Sequence, residues 1–127
     1  MSTKERPVSL WAGNAESRSA LNDYLEFPYD EDGIADPCPF GKDFQIDWFD
    51  EDFLEAGFKE EKTQSLRRLL TGHSDADELS NVFCALVGDT LAFQANVVVL
   101  LYDFMYDGAV KSAQSGSVNL FFVGTVK

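Results

Sequence analysis

The sequence predicts a single α+β domain over residues 1–127, an antiparallel sheet with a C-terminal hairpin packed against helices. Three observations predict it. Residues 97–102 (VVVLLY) are the densest β-branched and apolar block of the chain, far short of the roughly 20 residues of a membrane span and suited to a strand buried on both faces. A second apolar run, residues 118–126 (VNLFFVGTV), follows a polar connection, so the shortest topology is a hairpin of residues 96–106 against residues 118–126. Between residues 63 and 88 leucines recur at helical spacing between well-marked caps, which supplies the helical half.

The elements follow in order. Residues 1–6 are polar and are expected to fray, Pro7 introduces a strand over residues 8–11, and Gly13-Asn14 reads as a turn. Ser17 is an N-cap, and Ala20, Leu21, Tyr24 and Leu25 then share one face of a helix that ends before Pro28. From residue 27 to 42 the composition shifts to proline, glycine and acid, where no regular element is expected until a helical turn around Phe40 to Phe44. An edge strand is expected over residues 54–59, with Gly57 as its bulge. Thr63 reads as the cap of a short helix whose Leu66, Leu69 and Leu70 face the core, with Arg67 and Arg68 near its end and Gly72 stopping it. Ser74 and Asp77 have capping-box spacing, and Leu79, Val82, Phe83 and Leu86 then run along one face until Gly88. Beyond the apolar block, Tyr102, Phe104 and Tyr106 alternate with Asp103, Met105 and Asp107 as in a strand leaving the core, and Asp107-Gly108 ends it.

At 127 residues and 45% hydrophobic content the domain buries roughly two thirds of its unfolded surface and needs no staple. Cys38 sits in a Pro-Cys-Pro loop and Cys84 in a helical pattern, without metal-type spacing. The start MSTKERPVSL has no apolar signal region, so two free thiols in a cytoplasmic protein are expected.

No catalytic residue emerges. His73 is the only histidine and lies in Gly72-His73-Ser74-Asp75, a connection whose serine is already a cap, and no Gly-x-Ser-x-Gly elbow exists. The acid runs Asp30-Glu31-Asp32-Gly33 and Asp50-Glu51-Asp52 fail the calcium-loop pattern, because Pro28 stands where the first ligand ahead of Gly33 belongs. Gly13-Asn14 lacks the further glycines and the lysine of a phosphate loop. No metal and no cofactor are therefore expected.

Charge is more informative. Lys and Arg number 10 against 22 Asp and Glu, a formal net of -12, which repels nucleic-acid phosphates and anionic membrane surfaces and draws a basic partner. Of the 22 acids, 14 fall between residues 23 and 61, where only Lys42 and Lys59 oppose them. Phe44, Trp48, Phe49 and Phe53 interleave with these acids, a composition of interfaces in which rings supply energy and charges supply steering. The plain alternative makes the rings core and the acids a solvated face; even so, Trp48 and Phe49 are adjacent, and in an extended segment one of them is exposed. The candidate partner-binding residues are Asp30, Glu31, Asp32, Asp36, Asp43, Asp47, Trp48, Asp50, Glu51 and Asp52.

Val8-Ser9-Leu10-Trp11 with Gly13-Asn14, then Asp43-Phe44 with Ile46-Asp47 and Asp50-Glu51-Asp52-Phe53, then Leu101-Tyr102-Asp103-Phe104 with Tyr106-Asp107-Gly108, and finally Phe122-Val123-Gly124-Thr125-Val126 resemble the bacterial immunity protein 22 family. The resemblance spans nearly the whole domain. It implies an α+β fold with a tryptophan motif, matched by Trp11, and a role in polymorphic toxin systems, where an immunity protein neutralises the toxin made beside it. The implied partner is a cognate toxin domain of basic character, with a nuclease fitting the charge, and the implied protein is not an enzyme. Pro37-Cys38-Pro39 departs from the family's pattern. A small acidic cytosolic protein-binding domain unconnected with toxins is the alternative, and an uncharacterised hydrolase comes third.

Overall fold

The computed structural model describes residues 7–26, 29, 30, 33, 34, 38–46, 49, 51–72, 76–107 and 109–126, of which 29, 30, 33, 34, 51 and 76 are described by backbone alone. In chain order its elements are β1 (Val8–Asn14), α1 (Arg18–Leu25), β2 (Tyr29–Asp30), β3 (Gly33–Ile34), α2 (Pro39–Asp43), a 3₁₀ turn (Glu51–Phe53), β4 (Leu54–Ser65), α3 (Leu66–Leu70), α4 (Ala76–Val87), β5 (Thr90–Tyr102), β6 (Ser112–Ser115) and β7 (Val118–Val126). Five strands form an antiparallel sheet in the order β4-β5-β1-β7-β6, and β2 with β3 makes a separate short ribbon. The α+β class read from the sequence is the observed one.

Strand alternation sends the sheet's side chains into two cores. Trp11, Val97, Val99, Leu101, Val118 and Leu120 point to one face and pack with Leu21, Tyr24, Phe40 and Phe44 from the α1 and α2 layer. Leu10, Ala12, Val98 and Leu100 point to the other and pack with Leu66, Leu69, Leu70, Leu79 and Phe83 from α3 and α4. The apolar block of β5 is thus buried on both faces, and each such side chain contributes about 1.5–3 kcal/mol relative to exposure. Trp11 is the hub of the first core. Its ring lies 4.9 Å from Phe40, 5.7 Å from Phe44, and 5.3 Å from both Tyr106 and Phe122. Its Nε1 is buried without a hydrogen-bond partner among the described residues, so the position is held by ring packing.

The expected hairpin of residues 96–106 on residues 118–126 does not form. β1 inserts between β5 and β7, with Leu10 opposite Leu100 on one side and Gly124 on the other. The physical reason is that β1 is buried on both faces and at the centre of the sheet satisfies its backbone on both edges as well. The C-terminal hairpin is instead β6 with β7, turned at Gly116, whose φ of 59° suits glycine. Gly13 and Asn14 belong to β1 rather than to a turn. A Cβ at Gly13 would overlap the Asn119 carbonyl of β7, so this glycine serves a close approach of strands.

Other expectations shift in detail. Ser17 caps α1 as predicted, its side chain accepting from the Ala20 N–H at 3.0 Å. α3 is capped by Ser65, which accepts from the Arg68 N–H at 3.3 Å, while Thr63 lies in β4 and its Oγ1 accepts from the Ser65 N–H. β4 is an edge strand, but its irregularity follows Phe58 instead of falling at Gly57. The acidic stretch holds one element that was not expected, the β2–β3 ribbon, while the helical turn expected around Phe40 to Phe44 is α2, which begins at Pro39, a residue whose fixed φ suits the first helical position. Leu86, expected inside, is 53% exposed near the end of α4. β5 ends at Tyr102, because Asp103 takes a φ of 56° and breaks the alternation. Tyr102 consequently packs on the α3 and α4 side, whereas Phe104 and Tyr106 return to the Trp11 core. Cys38 is buried and Cys84 half-buried, and neither forms a disulfide.

Candidate partner-binding surface

The described acids of the segment lie on or beside α1, β2, α2, the 3₁₀ turn and β4. α1 turns Leu21 and Tyr24 inward, which leaves Asp23 and Glu26 exposed. At the end of α2, Asp43 accepts a hydrogen bond from the Tyr24 hydroxyl at 2.9 Å, tying α2 to α1. Burial, and then the Asp43 carboxylate, push the Tyr24 hydroxyl far above its ordinary range, so it stays a donor. Asp43 therefore serves the fold as well as the surface charge. Asp52 is exposed in the 3₁₀ turn, Glu55 is half-buried and accepts from the Tyr102 hydroxyl at 3.3 Å, and Glu60 and Glu61 are exposed further along β4.

Of the residues predicted to bind a partner, the described side chains are Asp43 and Asp52. Asp30 lies in β2 and Glu51 opens the 3₁₀ turn, both described by backbone alone. Glu31, Asp32, Asp36, Asp47, Trp48 and Asp50 lie outside the described residues, as do His73 and Ser74. The rings divide clearly. Phe44 and Phe49 are buried in the Trp11 core, and Phe53 is 40% exposed, directly ahead of β4.

Two features beside this surface carried no sequence signal that singled them out. Arg18, at the start of α1, reaches across to β4, where its guanidinium donates to the Phe58 carbonyl at 3.2 Å and lies 5.9 Å from the centre of the Phe58 ring. Lys59 is directed toward α3, its Nζ donating to the Thr71 carbonyl at 3.2 Å. Arg18 and Lys59 are thus engaged in holding elements together, whereas Lys42 and Lys62 are exposed. The exposed carboxylates of Asp23, Glu26, Asp52, Glu60 and Glu61 outnumber the exposed Lys42 and Lys62 and set the sign of this surface.

No group of three or more His, Cys, Asp and Glu side chains among the described residues is arranged to hold a metal ion. Cys84 is raised in pKa by burial, the direction opposite to an activated thiolate. No helix among the described residues is long and apolar enough to cross a membrane.

Fold and surface together define an acidic α+β domain with a doubly covered antiparallel sheet and a charged edge strand. The chain belongs to the immunity protein 22 family, whose model matches residues 8–127. No curated protein and no solved structure matches it.

Proposed function

We propose that this protein is an immunity protein that binds a cognate bacterial toxin domain and neutralises it by covering a basic active-site surface. Membership of the immunity protein 22 family carries the reading, because such a protein acts by binding a toxin. The charge supports the mode. An active site that handles nucleic acid must attract phosphates and is therefore basic, and a domain of net charge -12 with 14 acids between residues 23 and 61 is its electrostatic complement. A nuclease toxin is accordingly the fitting partner, and inhibition requires no turnover by the immunity protein.

The contact surface in this reading is the acid-rich segment, including Asp30, Glu31, Asp32, Asp36, Asp43, Asp47, Asp50, Glu51 and Asp52, with Trp48 and the exposed Phe53 as aromatic anchors. Co-expression with the toxin domain encoded by the neighbouring reading frame tests it. Cells should survive only when this chain is present, and the two proteins should co-purify. Killing undiminished by a stably folded, well-expressed chain would remove the immunity reading for that pair.

A further inference from the structure

We propose that the outer edge of β4, over Leu54, Ala56 and Phe58, accepts an extended basic segment of the toxin domain as an added strand of the sheet, an inference that rests on the immunity reading above. β4 is the outermost strand on its side, and among the described residues no strand lies beyond it.

The direction of its backbone groups follows from the register. The Phe122 N–H donates to the Lys111 carbonyl at 2.8 Å, so Phe122 bonds on the β6 side and Phe121 turns toward β1. Phe121 faces Ala12, so Ala12 bonds β7 while Trp11 and Gly13 bond Val99 and Val97 of β5. Val98 and Leu100 then turn to the other side and bond Gly57 and Glu55. By the same alternation the N–H and C=O groups of Leu54, Ala56 and Phe58 point away from the sheet. Arg18 gives the same answer independently, because its guanidinium donates to the Phe58 carbonyl; that acceptor is thereby taken, and the added strand bonds the Leu54 and Ala56 groups and the Phe58 N–H.

The usable stretch has defined ends. The 3₁₀ turn Glu51–Phe53 precedes it, and after Phe58 the register breaks, with residues 59–62 standing opposite Asn96 alone before Thr63 meets Ala95. A bulge of this kind ends strand pairing, so the flat edge is residues 54–58. Main-chain bonds to such an edge supply affinity, and alternate side chains of the added strand supply specificity.

Charge selects the occupant. Asp52 and Glu55 sit at one end of the edge and Glu60 and Glu61 at the other, with Arg18, Lys59 and Lys62 among them, and the remaining acidic balance, in a chain of net charge -12, favours lysine and arginine side chains on the incoming strand. A second copy of this chain pairing on the same edge would bring those acids against their own counterparts, an arrangement that is destabilising.

Amide hydrogen exchange of the chain, alone and with the toxin domain of the neighbouring reading frame, provides the test. The Leu54, Ala56 and Phe58 amides should slow on binding. Ala56→Pro removes one outward N–H and leaves the β5 ladder intact, so it should weaken binding by about tenfold or more with the unfolding midpoint unchanged. A complex that forms with these amides unprotected, or that tolerates Ala56→Pro, would overturn strand addition while leaving the immunity reading standing. A dimer of the free chain abolished by Ala56→Pro would also overturn it, since the edge would then hold a second copy. Failure of the unaltered chain to bind would remove both.

Discussion

Ser9 shows how one polar side chain in an apolar strand organises its surroundings. It is fully buried, its Oγ donates to the Phe104 carbonyl at 2.8 Å, accepts from the Tyr106 N–H at 2.9 Å and meets Thr125 Oγ1 at 2.8 Å. One donor and two acceptors are all that a serine hydroxyl has, so with Thr125 donating every one is used. The segment after β5 is thereby fixed against β1, and Tyr106 is delivered to the Trp11 core. There its hydroxyl accepts from the Val110 N–H at 2.8 Å and donates to the Phe44 carbonyl at 2.9 Å. Ser9→Ala strands the buried Tyr106 N–H and the partly buried Phe104 C=O, and should lower unfolding stability by about 1–3 kcal/mol in chemical denaturation. Sequence reasoning singled out Trp11, which the structure makes the hub of the first core, through the tryptophan motif of the resemblance. It could not find the role of Ser9, whose partners lie on the turn after β5 and on the last strand.

At the scale of elements, local signals are legible where they are local in fact. Ser17 caps α1 and the leucines of α3 face inward because capping and periodicity act within a few residues. The central place of β1 is a property of the whole sheet, and sequence proximity of β5 and β7 points to a hairpin that the burial of Val8, Leu10, Trp11 and Ala12 overrules. The start of α3 also draws on a distant residue. Asp89, just ahead of β5, accepts from the Arg67 N–H at 3.0 Å and from the Ser65 hydroxyl at 3.3 Å, while its carbonyl accepts from the Leu66 N–H at 2.9 Å. The Arg67 N–H, with the Ser65 hydroxyl, holds the Asp89 carboxyl below its ordinary 3.8. A lowered folded pKa means that the stabilisation is present above the ordinary carboxylate range and is lost as pH falls through the folded value. Asp89→Ala should therefore cost about 1 kcal/mol at neutral pH, the usual size of a lost cap, and thermal melts of variant and parent should converge below about pH 4.

At the scale of the whole molecule, the family was legible from short motifs because they mark places the fold cannot change, among them Trp11, Gly13 and Tyr106 at the β1 core. The proposed binding surface was legible only as a charge imbalance, since an acid's exposure depends on neighbours that the sequence does not order. Asp43 illustrates the difference, being counted with the surface acids yet spent on Tyr24. What survives that sorting is a net charge of -12 with its acids concentrated over residues 23 to 61. Exposed carboxylates contribute only about 0–1 kcal/mol each to a formed contact, but their summed field accelerates encounter with a basic partner by about 10 to 1000-fold at low salt. Neutralising Asp30, Glu31 and Asp32 together should accordingly slow association more than it speeds dissociation, and the slowing should fade as salt is raised past the point where the screening length falls below about 8 Å. Phe53 should behave in the opposite way. It is 40% exposed beside Asp52 at the mouth of the β4 edge, and a ring that becomes desolvated in the complex acts on the lifetime of the bound state. Phe53→Ala should raise the dissociation rate by about tenfold or more with little change in association, independently of salt. Both rates can be read by surface-immobilised binding kinetics at low and high ionic strength. An association rate indifferent to salt and to the triple neutralisation would detach the acidity from recognition and leave it as a property of solubility alone.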